Sequence, residues 1–362
     1  MPQLILDVMG GDRGPQVILE GAQQALPELE GELVLVGDEN VLRPLLAKRP
    51  LRLLNDALTA SASTINTRSK CSVRLVHSSD TIEMSDSIRS LRNKPNASIN
   101  IGCRMASESW KARKSGAQGP AAFISAGHSG AMMASALLNM GRLKGVERPG
   151  IAVTLPTLSQ DGCVVIDVGA NVDCKPEHLR DFAVMGAVFA QVDRKSPGLP
   201  RVGILSNGEE KSKGNELTRA ALEMVEKHPT FAKVGQFVGY SEGKEIFKGH
   251  VDVVVTDGFV GNVVLKSVEG LGSAVVQILK EQAKRNPLTM LGFLLAAQAF
   301  RGLKKKLDYA EYGAAPLLGV AGYSFVCHGR SNSRAIKNAL LRAQSAVNKK
   351  VVENLDEVLS QQ

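Results

Sequence analysis

Apolar and polar positions follow one another along this chain in a recurring block. A short apolar run comes first, then a glycine-bearing polar loop, then a segment with helical spacing. LILDVM (4–9) leads into GGDRGP and a helix from about Pro15. AAFIS (121–125) leads into AGHSG and AMMASALLNMGRL, and CVVIDV (163–168) into GANVDCK and a helix opening at Pro176. RVGILS (201–206) leads into NGEEKSKG and NELTRAALEMVEKH, and VDVVVT (251–256) into DGFVG and NVVLKSVEGLGSAVVQILKEQ. Strands alternating with helices predict an α/β protein with a Rossmann-like, mainly parallel sheet flanked by helices. The runs are almost continuously apolar, as strands covered on both faces are. Pro15 and Pro176 suit first helical positions, where the missing N–H costs nothing. There is no repeat at solenoid spacing, and residues 1–362 are read as one α/β domain.

Two segments break the pattern. Residues 55–72 are rich in Asn, Ser and Thr and read as an exposed connection. Residues 284–306, KRNPLTMLGFLLAAQAFRGLKKK, carry six Lys or Arg and no acid. Their apolar centre of 13 residues is too short to cross a bilayer. Basic ends around a short apolar helix suit a membrane interface or a dimer contact; the alternative is a buried helix with solvated flanks.

Charge and composition narrow the classes. Lys plus Arg is 44 and Asp plus Glu is 36, a net +8 that permits an acidic partner, a phosphate ligand or an anionic membrane. The N-terminal apolar run has no basic flank and contains Asp7, which argues against a secretory signal. No uncharged apolar stretch reaches about 18 residues, so no spanning helix is expected. The five cysteines are irregularly spaced without C-x-x-C, which disfavours disulfides and structural zinc and favours a reducing cytoplasm.

In open parallel sheets, ligands bind beyond the carboxyl ends of the strands. Here five such ends carry glycine and polar side chains. Backbone N–H groups and helix N-termini there suit a phosphate or similar oxyanion. No loop fits a Walker motif or a clean G-x-G-x-x-G. Lys175 sits at a helix entrance, where a cation opposes the macrodipole, and this favours an anion contact. Asn207 suits donation to a carbonyl or phosphate, or a turn. Lys213 reads as a ligand or a solvated charge. Asp7, Asp167 and Asp257 close three strands and suit capping, turn or orienting roles. Asn262 looks like an N-cap. His128 is an acid, a base, a phosphate donor or a structural residue. Ser129 is a cap or a nucleophile, and without a G-x-S-x-G elbow the cap is preferred.

At this point the loops themselves carry a likeness. DVMGGDRGP at 7–15, SAGHSGA at 125–131, DVGANVDCKPEHL at 167–179, NGEEKSKGNE at 207–216 and TDGFVGNVVLK at 256–266 resemble the bacterial acyl-carrier-protein:phosphate acyltransferase (PlsX) family. EMSD (83–86), GRLKGVERP (141–149), YGAA (312–315) and HGRS (328–331) extend the likeness over nearly the whole chain. The chain departs from the family's usual SAGNTGA at His128 and Ser129, which leaves the role of position 128 open. Residues 89–98 are less charged than usual, and the 55–72 connection looks expanded.

The resemblance implies a fold akin to phosphotransacetylase and isocitrate dehydrogenase, with a protruding helical hairpin. It implies transfer of a long-chain acyl group from acyl carrier protein to inorganic phosphate. The acyl phosphate would feed a membrane acyltransferase acting on glycerol 3-phosphate. The family is dimeric, uses no known organic cofactor, and is cytoplasmic with peripheral membrane contact; no nucleic-acid partner follows. Candidate catalytic residues are Lys175, Asn207 and His128. Candidate phosphate- or substrate-binding residues are Gly10, Gly11, Asp12, Ser129, Asn171, Lys213, Asp257 and Asn262; no metal ligand is expected. Phosphate is already a nucleophile and a thiolate a competent leaving group, so no covalent intermediate is needed. Gly10, Gly11 and Lys175 would hold phosphate while Asn207 or a backbone N–H meets the oxyanion. The rivals are a phosphotransacetylase using acyl-CoA, a dehydrogenase-like member of the fold, and a non-enzymatic membrane adaptor of lipid synthesis.

Overall fold

The computed structural model describes residues 2–48, 51, 54, 70–83, 85–113, 119–158, 161–194, 196–300, 302 and 313–361. Most of the Asn/Ser/Thr-rich connection and the end of the basic segment lie outside these residues.

The strands are β1 (Gln3–Asp7), β2 (Glu30–Gly37), β3 (Lys70–His77), β4 (Ala121–Ser125), β5 (Gly150–Leu155), β6 (Cys163–Ile166), β7 (Arg201–Leu205), β8 (Gln236–Ser241), β9 (Val253–Val255), β10 (Ala314–Leu318) and β11 (Tyr323–Cys327). The principal helices are α1 (Gly14–Ala25), α2 (Glu39–Leu46), α3 (Ser98–Ala112), α4 (Ser129–Asn139), α5 (Pro176–Asp193), α6 (Glu216–Glu226), α7 (Gly258–Ala283), α8 (Pro287–Leu295), α9 (Ser333–Asn348) and α10 (Val351–Leu359).

The eleven strands form one sheet in the order β3-β2-β1-β4-β11-β10-β5-β6-β9-β7-β8. Strand periodicity sends alternate side chains to opposite faces. In β1, Leu4 and Leu6 join the layer that holds α1, α5 and α9, while Ile5 joins the layer under α3 and α4. Both faces are thus covered, as the continuous apolar runs predict.

Two details of the pairing position the site. First, β11/β10, β10/β5 and β5/β6 are antiparallel, and the other pairs are parallel. Three reversals in succession turn the strand direction over. The β3-β2-β1-β4-β11 half therefore runs opposite to the β6-β9-β7-β8 half. The five glycine loops do not share one carboxyl rim, contrary to the expectation from a parallel sheet. Second, β5 and β10 pair only through Leu317 with Ile151 and Leu318 with Gly150. Beyond these pairs β10 stays with β11 and β5 with β6, so the sheet forks.

Candidate functional site

Each strand-end aspartate organises its own loop. Asp7 is buried. Its Oδ1 accepts from the N–H of Met9 (3.0 Å) and Gly10 (3.1 Å), and its Oδ2 from the Ser125 hydroxyl (2.7 Å). Ser125 Oγ in turn accepts from Gly127 N–H at 3.0 Å. A Cβ on Gly10 would lie 2.7 Å from Gly127 N, so only glycine lets the β1 and β4 loops touch. Gly11 has φ +93°, a left-handed conformation suited to glycine. Asp12 N–H donates to Gly329 O at 2.8 Å and ties in the β11 loop.

Asp167 does the same after β6. Its Oδ1 accepts from Ile151 (3.0 Å), Gly169 (3.1 Å) and Ala170 (2.9 Å), and its Oδ2 from Asn171 N–H (2.7 Å) and Asn171 Nδ2 (2.9 Å). Burial pushes the carboxyls of both Asp7 and Asp167 above the usual carboxylate range, against these hydrogen bonds, which pull them down. The amides of Gly10, Asp12, Gly169, Ala170 and Asn171 are already engaged, mostly by buried carboxylates of the chain itself.

The other sequence candidates fall into place as follows. His128, not Ser129, is the N-cap of α4: its Nδ1 accepts from Ala131 N–H at 3.2 Å. The ring nitrogen supplies the acceptor that a capping side-chain oxygen ordinarily would. Asp257, not Asn262, caps α7, with Oδ1 accepting from Val260 N–H at 2.9 Å; Asn262 lies inside the helix. Lys175 holds the N-cap position of α5, and its N–H donates to His178 Nδ1 at 3.1 Å. Asn171 also donates to Pro149 O at 2.7 Å, so its amide is structural as well. Asn207 Oδ1 accepts from Gly214 N–H at 3.0 Å and closes the β7 loop, in which Lys213 packs beside Gly208.

A cleft of about 490 Å³ opens where β5 and β10 part. Its walls are mainly apolar, with Ile151, Val153, Leu155, Val168, Leu265 and Val326 among them. Gly169 and Asn262 lie on it, as do Asp12, Ser129, Lys266, Glu269 and His328. Arg342 of α9 lines it too and donates from Nη2 to Thr154 Oγ1 at 3.0 Å across the fork. Of the sequence candidates, Asp12, Ser129 and Asn262 line this cleft. Lys175, Asn207, Lys213, His128 and Asp257 do not. Asp12 and Glu269, both near enough to act on the charge of His328, are acidic and oppose a phosphate dianion beside it.

The residues that sequence reasoning missed are Lys266, Glu269, His328 and Arg342. Lys266 Nζ meets Glu269 Oε2 at 2.8 Å and His328 Nε2 at 3.1 Å. His328 Nδ1 accepts from Arg330 N–H at 3.0 Å. Partial burial, then the Lys266 charge, push the His328 imidazole below its ordinary pKa and favour the neutral ring. Lys266 and His328 end and begin two of the motif runs, but only the fold shows that they meet. Among the described residues no group of three or more His, Cys, Asp or Glu is placed to hold a metal ion.

Beyond the cleft, α7 continues as an exposed apolar helix. Among the described residues it is the one helix long and apolar enough to cross a membrane by length and composition, and only 6% of that stretch is buried. The sequence reading drew the unusual segment from residue 284; the exposed apolar surface in fact begins on α7. It continues on α8, where Leu288 is 82% and Leu295 80% exposed.

The model of a family described as fatty acid synthesis protein matches residues 3–354. The phosphate acyltransferase of Campylobacter concisus is 40% identical over 362 residues, covering 99% of both chains. That of Nitratiruptor sp. is 41% identical over 367 residues, again covering 99% of both. Among solved structures, a phosphotransacetylase from Streptococcus pyogenes has a TM-score of 0.57 at 15% identity, over 96% of this chain and 94% of that one. That likeness establishes the fold alone.

Proposed function

The chain belongs to the phosphate acyltransferase family and is an acyltransferase of fatty acid synthesis, and on that premise we propose that it moves a long-chain acyl group from acyl carrier protein to inorganic phosphate, giving acyl phosphate. The observation that carries this reading is the apolar cleft in the fork of the sheet, with hydrogen-bonding side chains placed along it. An acyl chain needs an apolar slot, and its thioester needs polar groups beside it. Phosphate is met by side chains after β6 and β7, with Lys175 as the cation, because Asp167 already engages the Gly169, Ala170 and Asn171 amides. Asn207 lies away from the cleft, so we assign its amide to the phosphate side as well and not to the carbonyl oxygen. Asn262 and Lys266 stand one turn apart on α7, about 6 Å along the axis. That span brings a phosphate at one within reach of a carbonyl at the other.

The basic excess suits the acidic carrier protein, so added salt slows the encounter. We further propose that a second copy covers α7 and that α8, beside Lys284 and Arg285, touches an anionic membrane surface from the cytoplasmic side.

The test supplies pure protein with phosphate and either hexadecanoyl-acyl carrier protein or hexadecanoyl-CoA, and follows free thiol and acyl phosphate. Release from the carrier protein well above that from the CoA thioester is expected. Preference for CoA selects the phosphotransacetylase rival, and no release from either selects the adaptor. Lys175→Ala and Asn207→Ala should each lose about 10²–10³ in turnover at fixed phosphate while melting normally. Near-full activity in both would remove these residues from the reaction.

A further inference from the structure

We propose that Arg342 is the stop of the acyl slot: its guanidinium closes the fork on the α9 face and sets the longest acyl chain the protein takes. The proposal rests on the acyl-transfer reading above and names the side chain that limits the length of its substrate.

The cleft is lined from both faces of the sheet. Val153, Leu155, Ala315 and Val326 face the layer of α7. Ala314 and Cys327 face the layer of α9. Thr154 lies between Val153 and Leu155 on β5, so strand periodicity turns it to the α9 side as well. In a continuous sheet, neighbouring strands stand about 4.8 Å apart and their hydrogen bonds leave no way between the layers. Here the β5–β10 ladder ends at Ile151 and Leu317, and beyond them the gap leads from one layer to the other.

Arg342 spans that gap on the α9 side. It stands on α9, which packs against β4, β10 and β11. Its Nη2 donates to Thr154 Oγ1 at 3.0 Å across the fork. The same nitrogen lies 3.6 Å from Asp193 Oδ2, and the guanidinium carbon lies 5.8 Å from the centre of the Phe189 ring. Both residues belong to α5, which packs on β6, β7 and β9 beyond the fork. Lys349 Nζ holds Asp193 Oδ1 at 3.1 Å, so the carboxylate that faces Arg342 is itself fixed.

The chemistry of a guanidinium makes this closure a stop. Asn262 and Lys266, polar groups suited to the thioester, stand on α7. A chain held there directs its terminal methyl through the fork towards Arg342. Each methylene that enters the apolar slot gains about fourfold in binding. Beside Arg342 that gain reverses. A further methylene must displace the Thr154 contact and cover a charge without offering it a hydrogen bond. The limit is set by electrostatics as well as by volume.

The test uses the full-length protein, inorganic phosphate and acyl carrier proteins loaded with octanoyl to eicosanoyl chains, and reads thiol release as kcat/KM at each length. In wild type kcat/KM should rise to a maximum and then fall at least about tenfold at longer chains. Arg342→Ala should move that maximum longer by at least about two carbons. Arg342→Lys, which keeps a long cationic side chain, should return it to the wild-type length. Thr154→Val keeps the β-branched shape and removes the acceptor; it should move the maximum in the same direction as Arg342→Ala, and it keeps the test alive if that variant unfolds. Melting temperatures establish folding. An unmoved maximum in the folded variants overturns the proposal. So does an equal loss at every length, which would make Arg342 a structural tie between the halves, and so does a wild type with no fall at long chains. A wild type that releases no thiol at any length instead overturns the transfer reading, and this inference falls with it.

Discussion

Asp7 and Asp167 each sit at a strand end and gather the N–H groups of the loop that follows. A buried carboxylate with several donors replaces the external anion that glycine loops suggest. Burial nevertheless raises Asp7 above its unfolded value of about 3.9. Between the unfolded and folded values the native chain holds a proton that the unfolded chain has lost. The Asp7 contribution to stability is therefore full below the unfolded value and falls as pH rises through the folded one. The melting temperature of wild type minus that of Asp7→Asn should decline as pH rises from about 4; a flat or rising difference contradicts the shift. His128 is a residue whose identity suggests chemistry and whose geometry indicates capping. His128→Asn should keep stability within about 0.5 kcal/mol and turnover near wild type, whereas His128→Ala should cost about 1 kcal/mol in denaturant unfolding. A large loss of turnover in His128→Asn would restore a catalytic role.

At the scale of elements, the fork between β5 and β10 creates the cleft, and α7 runs along it. Gly258 N–H donates to Asn171 O at 2.7 Å, which seats the first turn of α7 against the β6 loop. Later turns carry Asn262 and Lys266 past the slot. Ala315 of β10 lines the cleft, so a larger side chain there would fill space that the proposed acyl chain needs. Ala315→Leu should lower kcat/KM for a hexadecanoyl donor about tenfold while affecting an octanoyl donor less. Equal losses for both chain lengths would place the acyl group elsewhere. The strand–loop–helix units were readable from apolar runs and glycines. The fork was not, because it depends on how few residues two distant strands share.

On the scale of the whole molecule, three antiparallel pairings set the two halves of the sheet in opposite directions. The loops after β6 and β7 thus leave a different rim from those after β1 and β4, and the cleft along α7 connects the two regimes. The same helix extends outward with its apolar side chains exposed, and α8 follows with more. So much exposed apolar surface signals an interaction surface. Replacing Leu294 and Leu295 together by Asp should abolish flotation with anionic vesicles and leave turnover of soluble substrate within about twofold, since each buried apolar side chain contributes about 1.5–3 kcal/mol. Undiminished flotation would remove α8 from membrane contact.

The sequence by itself determined what depends on neighbours along the chain. Apolar runs specified strands, prolines marked helix starts, and colinear motifs carried the family likeness. Long loop motifs also pointed to Asp12, Ser129 and Asn262, which do line the cleft. Only the tertiary structure decided strand direction across the sheet, the fork, and the meeting of Lys266 with His328. Those depend on contacts between residues far apart in sequence, Lys266 and His328 being 62 positions apart, and no local pattern encodes the distance between them.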